Sequence, residues 1–230
     1  MEQKRIAVIT ARGGSKRIPK KNIKDFCGKP ILAYSIEAAL QSQLFDEVMV
    51  STDSQEIADI AIKYGASVPF MRSEATANDF ATTNDVLVEV FTEYEKRGQK
   101  FDEAVCIYPT APFITAKKLQ DAVRIMEEEK ADALTPVVRF SFPPQRAFVI
   151  REGSLEYQFP ECAPKRSQDL EPIYHDCGQF YVMKVENVLK GLPAKKSAPL
   201  ILSELEVQDI DNEEDWKMAE IKYKMMIERG

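Results

Sequence analysis

The chain has little of the residue types that carry many catalytic and metal-binding sites. Its 230 residues include one histidine and four cysteines, and no two cysteines form a C-x-x-C pair. The cysteine and histidine spacing that is typical of zinc sites is therefore absent. No Ser-His-Asp arrangement can be inferred around the lone His175, so covalent catalysis has no support. We expect the scattered cysteines to be free thiols in a reducing compartment.

Long apolar runs and an excess of positive charge are also missing. No stretch approaches the roughly 20 apolar residues that a membrane-spanning helix needs, and the N-terminus lacks the apolar core of a secretory signal. The formal net charge is −6, whereas nucleic-acid binders usually carry a broad basic surface. We therefore expect a cytoplasmic protein that binds neither membrane nor nucleic acid.

One stretch near the N-terminus changes abruptly from apolar to cationic. Residues Ile6 to Ile9 are uncharged and rich in β-branched side chains, which is typical of a strand buried on both faces. Gly13 and Gly14 follow, and their conformational freedom lets backbone N–H groups point inward around an anion. Five cations surround them: Arg12, Lys16, Arg17, Lys20 and Lys21. We interpret the loop as a polyphosphate site. The alternative is a solvated glycine turn, because the loop has neither the G-x-x-x-x-G-K-[S/T] nor the G-x-G-x-x-G spacing of the known nucleotide-binding loops.

Strand-like and helical segments alternate through the first 140 residues. Strands are predicted at 6–9, 47–51, 67–71, 104–108 and 133–138, with helices at 31–42, 84–97 and 115–130. A further helix should begin near Asp53, which we expect to cap it together with Glu56. This alternation predicts an α/β fold with a largely parallel sheet. Ligands of such sheets bind beyond the carboxyl ends of the strands, and the loops expected to share that rim begin at Thr10, Ser51, Tyr108 and Arg139.

The alternation stops at about residue 140. Residues 140–175 contain several prolines and two strand-like runs, 147–150 and 155–159, which a Glu152-Gly153-Ser154 turn could join as a hairpin. We interpret this segment as a β-rich insertion in a single domain that covers residues 1–230.

A pair of acidic residues precedes a last helix, which is predicted at about 212–228. Asp209 and Asp211 are one residue apart, so their side chains point the same way on an extended segment. Mg²⁺ prefers one or two carboxylates together with phosphate oxygens and water. The alternative is that these acids simply favour a helix N-terminus, because three more acidic residues follow at 213–215.

A third polar group runs from the end of the insertion into a strand that is predicted at 178–183. Arg166 could hold a carboxylate through a bidentate pair, and Gln168, Gln179 and Tyr181 could bind sugar hydroxyl or amide groups.

The loop 11–22, Ala-Arg-Gly-Gly-Ser-Lys-Arg-Ile-Pro-Lys-Lys-Asn, resembles the signature loop of the acylneuraminate cytidylyltransferases, which activate nine-carbon acidic sugars as CMP-sugars. The resemblance continues nearly to the end of the chain, through Gly28-Lys29-Pro30, Ser51-Thr52-Asp53, Arg72, Pro109-Thr110-Ala111-Pro112 and Asp209-Ile210-Asp211. Segments 142–147, 166–170 and 174–181 are most similar to the pseudaminic acid branch. The sialic acid branch generally reads more like N-G-A-I-Y where residues 177–181 read C-G-Q-F-Y.

This resemblance implies a Rossmann-like nucleotidyltransferase and a homodimer, with 140–175 as the dimerisation element. The implied reaction is in-line attack of the sugar's anomeric hydroxyl on the α-phosphorus of CTP, with Mg²⁺ as cofactor and pseudaminic acid as acceptor. Legionaminic acid, sialic acid and Kdo are alternative acceptors, and a non-catalytic nucleotide-binding module is the alternative class. The implied CTP-binding residues are Ala11, Arg12, Gly13, Gly14, Ser15, Lys16, Asn22, Arg72, Thr82 and Thr83. Catalytic roles fall to Arg12, Lys16, Lys21 and Asp211, metal binding to Asp209 and Asp211, and sugar binding to Tyr108, Arg166, Gln168 and Tyr181.

Overall fold

A seven-stranded mixed sheet forms the centre of the protein in the computed structural model, which describes residues 3–228. The strands are β1 Arg5–Thr10, β2 Asp25–Phe26, β3 Lys29–Pro30, β4 Glu47–Ser51, β5 Glu103–Ile107, β6 Ala133–Arg139, β7 Phe148–Arg151, β8 Ser154–Tyr157, β9 Tyr174–Asp176, β10 Phe180–Lys184 and β11 Ser197–Leu202. The α-helices are α1 Ile31–Ser42, α2 Gln55–Lys63, α3 Glu74–Ala77, α4 Thr83–Lys96, α5 Ala116–Glu128, α6 Val185–Leu189 and α7 Glu213–Ile227. Within residues 3–228, no helix combines the length and the apolar composition needed to cross a bilayer.

The sheet is mostly parallel, as expected, but two of its strands, β9 and β10, run the other way. The strand order is β11-β6-β10-β5-β1-β4, and β9 also pairs with β6. β1 pairs in parallel with β4 and β5, and β6 pairs in parallel with β11. β10 is antiparallel to both β5 and β6. The chain returns from the insertion directly into β9 and β10 without a crossover helix, and such a return is antiparallel.

Strand β1 is buried on both faces. Ala7 and Ile9 pack into a cluster with residues of α1 and α5, whereas Ile6 and Val8 pack into a second cluster with residues of α4 and α6. All four side chains are fully buried. Because alternate strand residues point to opposite faces, a strand covered on both sides must be apolar at every position, and this made β1 recognisable in the sequence.

The expected rim at the carboxyl ends of the strands is confirmed. Thr10 lies opposite Ser51 in the β1–β4 register, and Ile9 lies opposite Ile107 in the β1–β5 register. The N–H of Tyr108, just beyond β5, donates to the carbonyl of Gln179 at 2.8 Å. The loop after β1, the loop after β5 and the segment before β10 therefore meet at one edge of the sheet.

Two local predictions near β4 are wrong. Helix α2 begins at Gln55 after Ser54, and no side chain caps it. The carboxylate of Asp53 instead accepts the N–H of Gly13 at 2.8 Å, because the glycine loop places an otherwise unpaired amide beside it. The strand expected at 67–71 is reduced to a single parallel bridge between Met49 and Ser67.

The hairpin predicted within the insertion is confirmed. β7 and β8 pair so that Ile150 lies opposite Leu155. The two turn residues, Glu152 and Gly153, have φ values of 51° and 80°. Positive φ at both central positions matches the turn type that suits the twist of a two-residue hairpin.

Candidate active site

Two adjoining cavities lie at the rim of the sheet. The larger has a volume of about 460 Å³ and is lined by Thr10, Arg12, Ser15, Lys16, Arg17, Lys21, Asn22, Asp79, Tyr108, Pro109, Thr110, Asp209 and Asp211. The smaller, of about 260 Å³, shares Thr10, Arg12 and Asp79 with it and is lined also by Arg72, Thr76, Asn78, Ala81, Thr82, Thr83 and Val86. The basic loop and the aspartate pair, nearly 200 positions apart in the sequence, thus face the same space.

The glycine loop is held in place from behind by backbone and side-chain bonds. The N–H of Ala11 donates to the carbonyl of Ser51 at 2.9 Å, and the side-chain amide of Asn22 donates to the carbonyl of Arg12 at 2.8 Å. A Cβ atom at Gly13 would lie 3.1 Å from the Cβ of Ser54. Glycine at position 13 therefore permits a close approach between the loop and the start of α2, which a larger side chain would oppose.

Four of the five loop cations line the larger cavity, and Lys20 does not. Arg12 reaches Asp79, as does Lys16, and Arg17 lies 2.7 Å from Asp211. The ammonium group of Lys20 pairs with Glu56 instead. Lys20 is therefore directed toward α2 rather than toward the expected anion.

The aspartate pair sits on an extended segment that is anchored by the residue between its members. Ile210 is 1% exposed and packs in a cluster with Ile18, Phe26, Ile31, Tyr34, Phe113, Trp216 and Ala219. Since neighbouring residues of an extended chain point to opposite sides, burial of Ile210 turns Asp209 and Asp211 together toward the cavity.

Helix capping does not account for this pair. The cap of α7 is Asn212, whose side chain accepts the N–H groups of Glu214 and Asp215. The carboxylate of Asp215 in turn accepts the N–H groups of Asp211 and Asn212 at 2.9 and 3.1 Å. The N–H groups of Asn212, Glu214 and Asp215 at the helix start are thus satisfied without the carboxylates of Asp209 and Asp211.

The electrostatics of the pair favour a cation. Burial raises the pKa of Asp209, and the charge of Asp211 raises it further. Burial also lowers the pKa of Lys21, whose ammonium donates to the carbonyl of Ile210 at 2.6 Å and lies 3.9 Å from Asp211. Two carboxylates in one half-buried site disfavour each other's charge, and a divalent cation between them would relieve that repulsion.

The donor set suits an ion that also binds a phosphate. In the described part of the chain, no group of three or more His, Cys, Asp or Glu side chains could hold a metal. An ion on Asp209 and Asp211 would need phosphate oxygens or water as further ligands, and Mg²⁺ prefers that combination. The residues therefore fit the expected Mg²⁺.

Truncating the anchor should destabilise the protein. We expect Ile210→Ala to lower the free energy of unfolding by about 2–4 kcal/mol, because it leaves a cavity in a packed cluster. Ile221→Ala on α7 is the matched control, since that side chain is more than half exposed and its loss should cost below about 1 kcal/mol. Urea denaturation measures both, and equal losses would contradict the anchoring role.

Three of the implied CTP-binding residues, Arg72, Thr82 and Thr83, line the smaller cavity. Arg72 is buried and donates to the hydroxyl and carbonyl oxygens of Ser51 at 3.0 and 2.7 Å, so part of its donor capacity is used within the protein. Thr82, rather than Thr83, caps α4, through a capping box with Asp85. The hydroxyl of Thr83 lies 3.5 Å from that of Tyr108. Their roles toward CTP stay predictions.

The four predicted sugar-binding residues separate into two groups. Tyr108 lines the larger cavity, and its ring packs edge-on against Tyr181 with centroids 5.7 Å apart. Tyr181 donates to the carboxylate of Asp176 at 2.9 Å, and its pKa is raised by burial first, then by Tyr108 and Asp176. By contrast, Arg166 and Gln168 are exposed on the insertion and line neither cavity of their own chain.

Asp79 is the residue at this site that sequence reasoning missed. It lies in a loop that reads only as polar and irregular, so no spacing or composition distinguishes it. Its position became visible only from its contacts with Arg12 and Lys16.

Comparison with known proteins finds relatives along almost the whole chain. A family model described as "Cytidylyltransferase" matches residues 6–158. Pseudaminic acid cytidylyltransferase of Campylobacter jejuni is 40% identical over 225 residues, which are 96% of this chain and 97% of that protein. CMP-N,N'-diacetyllegionaminic acid synthase of Legionella pneumophila is 35% identical over 224 residues, covering 94% of each.

A solved structure confirms the fold class. The CMP:2-keto-3-deoxy-manno-octonic acid synthetase complexed with CTP superposes with a TM-score of 0.71, covering 98% of this chain and 100% of that one. The two sequences are 19% identical, so the likeness concerns the fold alone. The expected Rossmann-like α/β architecture is thus confirmed.

Proposed function

We propose that this protein, which belongs to the cytidylyltransferase family, transfers the CMP group of CTP to the nine-carbon acidic sugar pseudaminic acid and releases pyrophosphate. The observation that carries the proposal is the convergence of the glycine and cation loop with Asp209 and Asp211 on one cavity. Pseudaminic acid is chosen as acceptor because a relative with that name matches 96% of the chain at 40% identity.

The loop cations would bind the triphosphate and stabilise its leaving group. The anomeric hydroxyl of the sugar attacks the α-phosphorus and loses its proton to Asp211 or to water. The bond from that phosphorus to the bridging oxygen breaks, and its electron pair leaves with pyrophosphate. Arg12, Lys16 and Lys21 line the cavity in which this charge develops. Positioned cations in such a site lower the barrier by electrostatic stabilisation and by holding the two substrates in line.

Asp209 and Asp211 would hold the metal ion. Cytidylyltransferases generally depend on a divalent metal, and a bound Mg²⁺ would supply neutralisation of phosphate charge beside the attacking hydroxyl. Lys21 ties the two halves of the site together, because its ammonium is bonded to the backbone of the Asp209–Asp211 segment while its own backbone belongs to the basic loop.

Tyr108 and Tyr181 would form the wall of the sugar site. Their edge-on contact continues through Tyr181 to Asp176, so the wall is held from the β9 side. Arg166 and Gln168 would reach a sugar acid only if the insertion met the site of a second copy. Sugar selection would therefore depend on Tyr108 and on residues 166–181.

A homodimer assembled through the insertion is part of this proposal. The insertion exposes large apolar side chains, which are Phe140, Phe142, Phe148, Ile150, Leu155, Phe159, Ile173 and Tyr174. Apolar groups concentrated in this way mark an interaction surface. A second copy would cover these side chains. Both copies and CTP would be present together in the cytoplasm, which is the expected location.

Charge placed on this surface should break the dimer. Ile150 is 77% exposed, so Ile150→Glu should leave the fold of the chain intact and shift sedimentation toward the monomer. Ile62→Glu is the control, because Ile62 is also more than half exposed but lies on α2, outside the insertion. A wild-type monomer, or an unchanged dimer in the Ile150 variant, would contradict assembly through this surface.

The reaction is tested by measuring pyrophosphate release from each of the four nucleoside triphosphates with a panel of sugar acids. We expect release with CTP and pseudaminic acid. Release with CTP and legionaminic acid, sialic acid or Kdo instead would correct the acceptor alone. If no pair released pyrophosphate although CTP bound, the non-catalytic nucleotide-binding alternative would be supported.

A further inference from the structure

Asp79 places a carboxylate where the proposed reaction needs a phosphate. Its Oδ1 atom lies 2.6 Å from Nη1 of Arg12, and its Oδ2 atom pairs with the ammonium of Lys16. Each carboxylate oxygen is thus taken by a different cation of the basic loop. A phosphate group would offer the same two cations the same kind of charged acceptor, so Asp79 and a phosphate compete for the donors of Arg12 and Lys16.

Asp79 also lies between the two cavities. It lines the larger one, which contains the basic loop and the aspartate pair, and the smaller one, which contains Arg72 and Thr83. A nucleotide with its phosphates beside Arg12 and Lys16 and its remaining part in the smaller cavity would pass over this residue. The ion pairs therefore stand across the nucleotide's expected path.

The loop that carries Asp79 has no apolar side chain packed into the core at its tip. Phe80, the next residue, is 93% exposed, so no packed side chain anchors the tip. The loop is held at its ends, by Asn78, whose side-chain oxygen accepts the N–H groups of Phe80 and Ala81, and by the cap at Thr82. Exposed ion pairs contribute little each, and a triphosphate can displace them at small cost.

We propose that Asp79 is an internal competitor of the nucleotide's phosphates, which holds Arg12 and Lys16 in the free enzyme and must be displaced when CTP binds. The proposal rests on the proposed function in taking CTP as the ligand. The cations hold the pKa of Asp79 below its usual value, so the carboxylate stays charged at neutral pH. Asp79 thereby lowers the affinity for the triphosphate.

The test is a calorimetric titration of Asp79→Asn with CTP in the presence of Mg²⁺. Asparagine keeps the shape but removes the charge, so we expect CTP to bind about three- to tenfold more tightly, the value of one or two exposed ion pairs. Cytidine, which has no phosphates, should bind equally to wild type and variant. In the Lys16→Met background the gain should shrink, because one of the two cations in question is gone.

Asp121→Asn is the matched control. Asp121 lies on α5, pairs with Lys117 and Arg124 and lines neither cavity. Its substitution by asparagine therefore changes the net charge by the same amount as Asp79→Asn, but away from the proposed nucleotide site. Unchanged or weaker CTP binding by Asp79→Asn, or equal tightening by Asp121→Asn, would overturn the proposal. If no protein bound CTP, the proposed function would fail. Titration with pyrophosphate would then test the role of Asp79 separately. Tighter pyrophosphate binding by Asp79→Asn than by wild type would support competition, and unchanged or weaker binding would overturn the proposal.

Discussion

The double substitution Asp209→Asn, Asp211→Asn abolishes metal-dependent release of pyrophosphate while the protein remains folded. Both carboxylates face the cavity beside the basic loop, and their amide replacements cannot neutralise a divalent ion. Metal ions in such sites lower the activation free energy by several kcal/mol, because they stabilise the charge of the transition state. We therefore expect turnover to fall by at least about a thousandfold. Pyrophosphate release at saturating CTP and Mg²⁺ measures it.

The control for this experiment removes two acids from the neighbouring helix turn. Glu213 pairs with Lys24, Glu214 is exposed, and both lie in the first turn of α7. Glu213→Gln, Glu214→Gln should retain near wild-type turnover and lose only about 1–2 kcal/mol of unfolding free energy, the value of two charges at a helix start. If the aspartate variant kept full activity, or the glutamate variant lost as much, the metal assignment would be wrong.

Lys16→Met lowers kcat/KM for CTP by about a hundred- to a thousandfold, the cost of removing one preorganised charge from a developing oxyanion. The side chain is 78% exposed, so we expect an unchanged thermal unfolding midpoint. The bridging oxygen that leaves with pyrophosphate carries more negative charge in the transition state than in bound CTP. The loss should therefore appear in kcat as well as in KM. Initial rates over a range of CTP concentrations separate the two constants.

Lys20→Met is the matched control within the same loop. It removes the same charge with the same replacement, but the Lys20 ammonium pairs with Glu56 and does not line the cavity. We expect its kcat to stay within about threefold of wild type, in keeping with a screened, exposed ion pair. Comparable losses in the two variants would show that Lys16 acts only through the general field of the loop.

The predictable parts of the fold were those with a repeating pattern. Helix α1 spans the predicted residues 31–42, and β1 was recognisable because both its faces are buried. The direction of β10 was not predictable, because its residues read as an ordinary strand and only pairing with β5 and β6 shows its reversal. Asp53 was misassigned as a cap for a similar reason: its competing partner, the N–H of Gly13, lies 40 positions away.

The predicted site was strongest where local spacing had a physical consequence. In the sequence Asp-Ile-Asp, the two aspartates point to the side of the segment opposite the isoleucine. Ile210 is buried in the structure, so both aspartates point away from the core. Exposed side chains carry no such pattern. Charge pattern alone does not distinguish Lys20 from Lys16, and only the family resemblance selected Lys16, which is the one that reaches the cavity. Arg166 and Gln168 lie away from the cavity, on the insertion.

The sequence by itself determined the strand with its glycine and cation loop, the alternation that makes an α/β sheet, and the common direction of Asp209 and Asp211. These properties follow from local periodicity and from the conformational freedom of glycine. Only the tertiary structure decided that the loop and the aspartates line one cavity, and that Asp79 lies between Arg12 and Lys16. Those contacts join residues 63 to more than 180 positions apart, and they depend on how the sheet brings its strand ends together.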